Sequence, residues 1–114
     1  MKVIRGAVCV SNTAEDISAG AVRLVEQIMK ANGLSQGDVE TVFFSATRDL
    51  DACYPAAAVR EKLLPQAAFM CFAEMNVAGS AQGVIRTAVF AKTEKTPVHC
   101  YLGEAAKLRP DLSR

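Results

Sequence analysis

The sequence predicts an α+β fold, a β-sheet with helices packed on one face, and three observations predict it. Short runs rich in Val, Ile, Phe and Ala recur with the length and punctuation of strands. Two longer segments place apolar residues at helical spacing. Hydrophobic residues make up 51% of the chain, more than two helices laid on one sheet face will cover. The other face therefore needs a cover of its own, and a homo-oligomer that buries it is the expectation.

The elements follow in order. Lys2–Val10 alternates and is rich in Val, a first strand with Arg5 and Gly6 in its middle. Thr13 to Asp16 is an approximate capping box with Asp in place of Glu, opening a helix whose apolar side is Ile17, Ala21, Leu24, Val25 and Ile28. Asn32 and Gly33 close it. Ser35 caps a turn before a second strand, Val39–Ala46. The polar stretch 47–54 leads to a helix over Pro55–Leu63, with Pro55 at its first position and Pro65 beyond its end. Strands at Ala67–Phe72 and Val84–Lys92 flank a Gly/Ser/Asn-containing connection. A turn at Thr93–Pro97, a last strand at Val98–Leu102 and a short helix at Gly103–Leu108 complete the chain.

With 114 residues, the expectation is one domain over 1–114, able to bury roughly two-thirds of its unfolded surface. Thirteen Lys and Arg against 12 Asp and Glu give a formal net charge of +1, so no global field recruits nucleic acid or an anionic membrane. The apolar runs fall well short of the roughly 20 residues a bilayer-spanning helix needs. The N-terminal segment is interrupted by Arg5 and lacks a signal-peptide core, which reads as cytoplasmic. The four cysteines, Cys9, Cys53, Cys71 and Cys100, form no Cys-x-x-Cys pair, and the single His99 adjoins only one of them. No metal is expected, and the default is reduced thiols, most of them buried small hydrophobes.

Charge inside apolar strands points to chemistry. Cys71, Glu74 and Arg86 lie on or beside the two central runs, and Arg5 and Arg60 sit on elements expected to be partly buried. Glu74 and Arg86 read either as a structural ion pair or as part of a site. Arg5, Arg60 and Arg86 together exceed the acid available, which anticipates an anionic ligand, and the guanidinium fork suits carboxylates or phosphates. Neither glycine-rich phosphate motif is present, so a small carboxylated molecule is the better fit.

Six segments then carry a resemblance. They are Ile4-Arg-Gly-Ala7, Ser45-Ala-Thr-x-Asp-Leu50, Tyr54-Pro-Ala-x-Ala-Val-Arg60, Cys71-x-x-Glu-Met-x-Val-x-Gly79, Val84-Ile-Arg86 and Tyr101-Leu-x-x-Ala-x-x-Leu-Arg-Pro-Asp-Leu112. In this order and spacing they resemble the AroH-class chorismate mutases, the small trimeric type. The resemblance implies a mixed β-sheet with helices on one face, forming a pseudo-barrel homotrimer with active sites in clefts between subunits. It implies rearrangement of chorismate to prephenate, a unimolecular pericyclic reaction that needs no nucleophile, metal or cofactor.

By the same resemblance Arg86 matches the cation beside the ether oxygen, and Arg5 and Tyr101 match positions that hold a carboxylate. Glu74 and Cys71 match contacts to the ring hydroxyl, Arg60 the helix arginine near the second carboxylate, and Tyr54 an aromatic wall. Leu108 and Arg109 belong to a closing tail, 108–112, over the site. The chain departs from the pattern at Ala57, where the family often has Lys, at Tyr54 for Phe and at Asn76 for Asp. Phe69 and Met70 are bulkier than expected for pocket-lining positions. Two other classes remain open on the residues: a trimeric imine or enamine deaminase and a non-catalytic trimer that binds a small carboxylate.

Overall fold

The computed structural model of the protein describes residues 1–111. Its strands are β1 (Lys2–Cys9), β2 (Val39–Ala46), β3 (Ala68–Ala73), β4 (Val84–Ala91) and β5 (Cys100–Tyr101), and its helices are α1 (Ala14–Ala31) and α2 (Pro55–Lys62). Short 3-10 turns span Gln36–Asp38 and Gly103–Leu108. The strands form one sheet in the order β3-β2-β4-β1-β5. It is mixed: β4 runs antiparallel to β1 and β2, while β3 is parallel to β2 and β5 to β1.

Period-two alternation divides the sheet into unlike faces. Ile4 and Val8 of β1, Val42 and Phe44 of β2, and Ile85 and Val89 of β4 are buried on the side that carries the helices. The α1 stripe of Ile17, Ala21, Leu24, Val25 and Ile28, read from spacing, packs on them together with Ala56 and Val59 of α2. Deleting one such Leu or Ile side chain costs about 2–5 kcal/mol. Gly6 is required there: a Cβ at this position would stand 2.6 Å from the Cys100 carbonyl oxygen and 3.0 Å from Leu24 and Ile28.

The opposite face is largely open. Phe43 meets Phe72 and Phe90 edge-on at 5.5 and 5.2 Å between ring centroids, and Val3, Met70 and Phe72 are exposed. Among the described residues only its β1–β5 end is covered, where the 3-10 turn at Gly103–Leu108 packs Ala105 and Leu108 against Ala7, Val84 and Tyr101.

Several sequence readings are corrected. Thr13 does cap α1, accepting from the Asp16 backbone N–H at 3.0 Å, but the Asp16 carboxylate does not complete the reciprocal box. One methylene shorter than Glu, it accepts instead from the backbone and hydroxyl of Ser11 at 2.6 and 2.9 Å. The third strand begins and ends one residue later than expected, at Ala68 and Ala73. The last strand is two residues long. Its expected first residue, Val98, spends its backbone N–H and carbonyl on the side-chain amide of Asn32, at 2.7 and 3.0 Å, so neither joins the ladder. Asn32 thereby closes α1 and fastens the approach to β5 at once. Arg5 and Arg60, expected to be partly buried, are exposed, because Arg5 projects from the open sheet face and Arg60 from the outer side of α2; Arg86 alone of the three is half-buried.

Among the described residues no helix is long and apolar enough to cross a membrane. Leu112, the last residue of the expected closing tail, lies outside the described residues.

The close approach at Gly6 yields a stability prediction. Gly6→Ala forces β5 or α1 to move and should lower stability by about 1–3 kcal/mol. Urea unfolding of the two proteins at equal concentration checks this; an unchanged midpoint would show that the strand yields freely.

Candidate active site

The register of β2, β4 and β1 sets Ser45, Arg86 and Ala7 side by side on the open face. Just beyond β3, the Glu74 backbone N–H donates to the Ala46 carbonyl at 2.9 Å, extending the parallel ladder by one residue. Glu74 therefore continues the alternation of Met70 and Phe72 and points to the same face. The Ser45 hydroxyl donates to its Oε1. Its Oε2 lies 3.3 Å from Arg86 Nε. That approach is an ion pair without hydrogen-bond alignment, and the buried Arg86 Nε–H has no hydrogen-bond acceptor among the described residues.

Such a pair adds little to stability, since partly exposed ion pairs contribute about 0–1 kcal/mol. It leaves a guanidinium held in place with donor capacity unspent. Arg86 lines a cleft of about 370 Å³ together with Arg5, Phe72, Tyr101 and Arg109. Tyr101 is buried, 4% exposed, and Leu108 packs beside it. The Arg5 backbone is fixed by donation to His99 Nδ1 at 2.9 Å, leaving its side chain free to extend over the cleft. Arg109 is held by Asp111 through a bidentate pair, Nε to Oδ1 at 3.0 Å and Nη2 to Oδ2 at 2.7 Å. The Arg109 hydrogen bonds, aided by the charges of Arg109 and Arg5, hold the Asp111 carboxyl below the usual carboxylate range. Three guanidinium groups thus surround one cleft, a setting for an anion with more than one carboxylate.

The remaining expected site residues form a separate group. Tyr54 at the start of α2, Arg60 on α2 and Cys71 on β3 line a cavity of about 240 Å³ together with Ala57, Phe69 and Met70. Cys71 sits opposite Phe44 in the register, on the helix side of the sheet, whereas Glu74 and Arg86 project from the other side. Within one chain, Tyr54, Arg60 and Cys71 are therefore not brought to the Arg86 cleft. Burial pushes the Cys71 thiol up, against a smaller opposing effect of the Ala56 backbone, so it is protonated at neutral pH and fit to donate a hydrogen bond rather than attack. A third hollow of about 270 Å³ opens on the other side of Glu74, under the loop 75–82 and beside Arg48.

Ser45 is the site residue that the sequence reading missed. It stood in a quoted motif without a role; strand alternation puts it on the same face as Phe43, but only the structure shows that face to be the open one.

A family model for chorismate mutase type I matches residues 1–112. The chain belongs to that family. Chorismate mutase AroH of Bacillus subtilis (strain 168) is 38% identical over 118 residues, spanning 96% of this chain and 91% of its own. The protein of the same name from Thermus thermophilus is 36% identical over 115 residues, spanning 96% and 93%. In three dimensions, a chorismate mutase from Clostridium thermocellum matches with a TM-score of 0.90 at 36% identity, over 94% of this chain and 99% of that one. The mixed sheet with its two helices on one side is thus the architecture of this family, and family membership selects the mutase from the classes the residues left open.

The protonated state of Cys71 is open to measurement. Its alkylation by iodoacetamide should be slower than that of a small free thiol at pH 8, and should keep rising with pH past the point where the free thiol levels off. Mass-spectrometric rates resolved by peptide check this; a Cys71 rate already level at pH 7 would contradict it.

Proposed function

We propose that this chorismate mutase rearranges chorismate to prephenate at the Arg86 cleft, in a homotrimer whose neighbouring subunit supplies Tyr54, Arg60 and Cys71. The observation that carries the reading is the half-buried Arg86 guanidinium, fixed beside Glu74 with a buried N–H awaiting an acceptor. In the rearrangement one carbon–oxygen bond breaks while one carbon–carbon bond forms within the same molecule, and the ether oxygen gains negative charge on the way. No proton, electron or group need enter or leave. Catalysis then consists of stabilising that charge and holding the substrate folded.

Arg86 supplies the first of these. A donor fixed where charge grows interacts more strongly in the transition state than with the ground-state ether, and only that difference accelerates the step. Glu74 accepts from the ring hydroxyl through Oε2, and the Cys71 thiol donates to the same hydroxyl. Arg5 and Tyr101 hold one carboxylate, Arg60 approaches the second, and Tyr54 walls the ring. Leu108 and Arg109 close over the mouth, where Arg109 exchanges Asp111 for substrate. Binding both carboxylates holds the enolpyruvyl arm over the ring and removes part of the entropic barrier. Ala57 leaves the mouth one cation poorer than the family pattern, which bears on affinity more than on the chemistry.

The trimer is supported by what one chain leaves unfinished. The face bearing Phe43, Phe72 and Phe90 is open, and β3 is an edge strand with no neighbour on its outer side among the described residues. Unpaired edges and exposed apolar faces are sites of association. The two groups of residues lie on opposite sides of the sheet, so a second copy must bring its α2 edge to the Arg86 face for them to meet.

Two experiments test this. Following the loss of chorismate absorbance, Arg86→Ala should lower kcat by about 10²–10³-fold, the effect of removing one such donor; turnover unchanged by the substitution removes Arg86 from the mechanism. For the shared site, Arg86→Ala and Arg60→Ala chains, each impaired alone, are unfolded together and refolded as a mixture. At equal amounts, about a quarter of sites in random trimers pair an intact Arg86 with an intact Arg60. Activity should return to about that fraction of the wild type. No recovery in verified mixed trimers would place both residues on one subunit.

A further inference from the structure

We infer that Ser45 is a positioning residue that keeps Glu74 from closing on Arg86, so that the guanidinium stays available to the substrate. The inference rests on the chorismate mutase reading of the cleft and assigns a role to a residue that does not itself touch the reacting atoms.

Three observations converge. Ser45 and Arg86 are cross-strand partners on the open face, so the hydroxyl and the guanidinium stand next to one another. The Ser45 hydroxyl donates to Glu74 Oε1. The other carboxylate oxygen, Oε2, comes within 3.3 Å of Arg86 Nε, yet no hydrogen bond forms and the buried Nε–H is left without an acceptor.

That last point needs a physical cause. A carboxylate beside an arginine ordinarily turns until two parallel N–H···O bonds form. Leaving a buried guanidinium N–H unbonded is costly. Something must hold the carboxylate out of that orientation. The backbone fixes only where Glu74 begins, through its N–H to the Ala46 carbonyl. The carboxylate itself has a single neutral hydrogen-bond partner among the described residues, and that is Ser45. By occupying Oε1 the hydroxyl sets the plane of the carboxylate, and Oε2 faces Arg86 obliquely.

The arrangement has a functional logic. A closed bidentate pair would neutralise the cation and direct its N–H groups at Glu74, so the substrate would have to break two charge-assisted bonds before its ether oxygen could be served. Held obliquely, Glu74 anchors Arg86 by charge while leaving its Nε–H unspent. Ser45 also leaves Oε2 as the oxygen that can turn to accept from the substrate hydroxyl. Without it, both oxygens are drawn to Arg86.

The test compares Ser45→Ala, which removes the hydroxyl, with Ser45→Thr, which keeps one on a side chain suited to a strand. The first measurement needs no substrate: the Nε–Hε resonance of Arg86 in the free protein, assigned by its loss in Arg86→Lys. In Ser45→Ala the proton should move downfield, as the pair closes into a hydrogen bond, and in Ser45→Thr it should stay at the wild-type position. The second is steady-state turnover of chorismate. Ser45→Ala should lower kcat by about ten- to hundredfold, the usual effect of one hydrogen bond to a charged group, with a smaller change in KM. Ser45→Thr should restore kcat to within a few-fold.

An Arg86 Hε shift that is the same in Ser45→Ala and the wild type overturns the proposal, whatever the kinetics show. So does a kcat within twofold of the wild type, or a loss that Ser45→Thr repeats in full. Should the wild-type protein fail to turn over chorismate, the reading of the cleft falls, while the resonance comparison still decides whether Ser45 governs the pair.

Discussion

An arginine that meets a carboxylate without closing a hydrogen bond on it is the interaction on which the rest of the site depends. Arg86 is only half-buried, so it keeps its charge at modest cost, and Glu74 at 3.3 Å fixes the guanidinium by attraction. Neither residue alone would do this. An unpaired Arg in an apolar strand would swing to solvent, and a perfectly matched pair would be inert toward a ligand. The oblique contact lies between these limits. Its geometry follows from backbone register, because β2 opposite β4 places Ser45 beside Arg86, and the extra rung between Glu74 and Ala46 delivers the carboxylate to both.

The scaffold around this contact is built for one-sided packing. Alternation along β1, β2 and β4 gives the helices a continuous buried surface, and Gly6 lets α1 and the approach to β5 come close enough to seal it. Arg86, Glu74, Ser45, Arg5 and Tyr101 are thereby left to the other face, while Cys71 stays on the helix side with Tyr54 and Arg60. The same division explains why a single chain contains two groups of candidate site residues and joins neither to the other. Cys71 and Glu74 are three residues apart along an extended strand and its continuation. An odd separation sends their side chains to opposite sides of a sheet, which is why the proposed site draws them from different copies.

The C-terminal segment pairs one of the cleft's guanidinium groups with an anion of its own. Asp111 is bonded to Arg109 and within the influence of Arg5, so an internal carboxylate already engages a guanidinium that is proposed to serve the substrate. Exchange of one carboxylate for another costs less than exposing a bare guanidinium in the empty state. This gives a physical reason for an acid in a segment otherwise suited to anion binding.

By itself the sequence determined the elements and most of their ends. Thr13 and the pair Asn32-Gly33 bracket α1, Pro55 opens α2, and Val39–Ala46 was read to the residue, because each of these signals is a local matter of caps, fixed dihedrals and alternation. It also brought forward Arg86, Glu74, Arg5 and Tyr101, which the structure gathers around one contact and one cleft. Local pattern did not reveal that Val98 gives its backbone to Asn32, that Arg5 and Arg60 are exposed, or that Ser45 holds Glu74. The exposure of Arg60 follows from how α2 docks, and the others depend on which distant segments lie side by side, since strand order β3-β2-β4-β1-β5 joins residues some 30 to 90 positions apart in the chain. Caps and alternation act over a turn or a pleat; register and pairing are fixed only when the whole sheet assembles, and it is there that the character of the Arg86 site was decided.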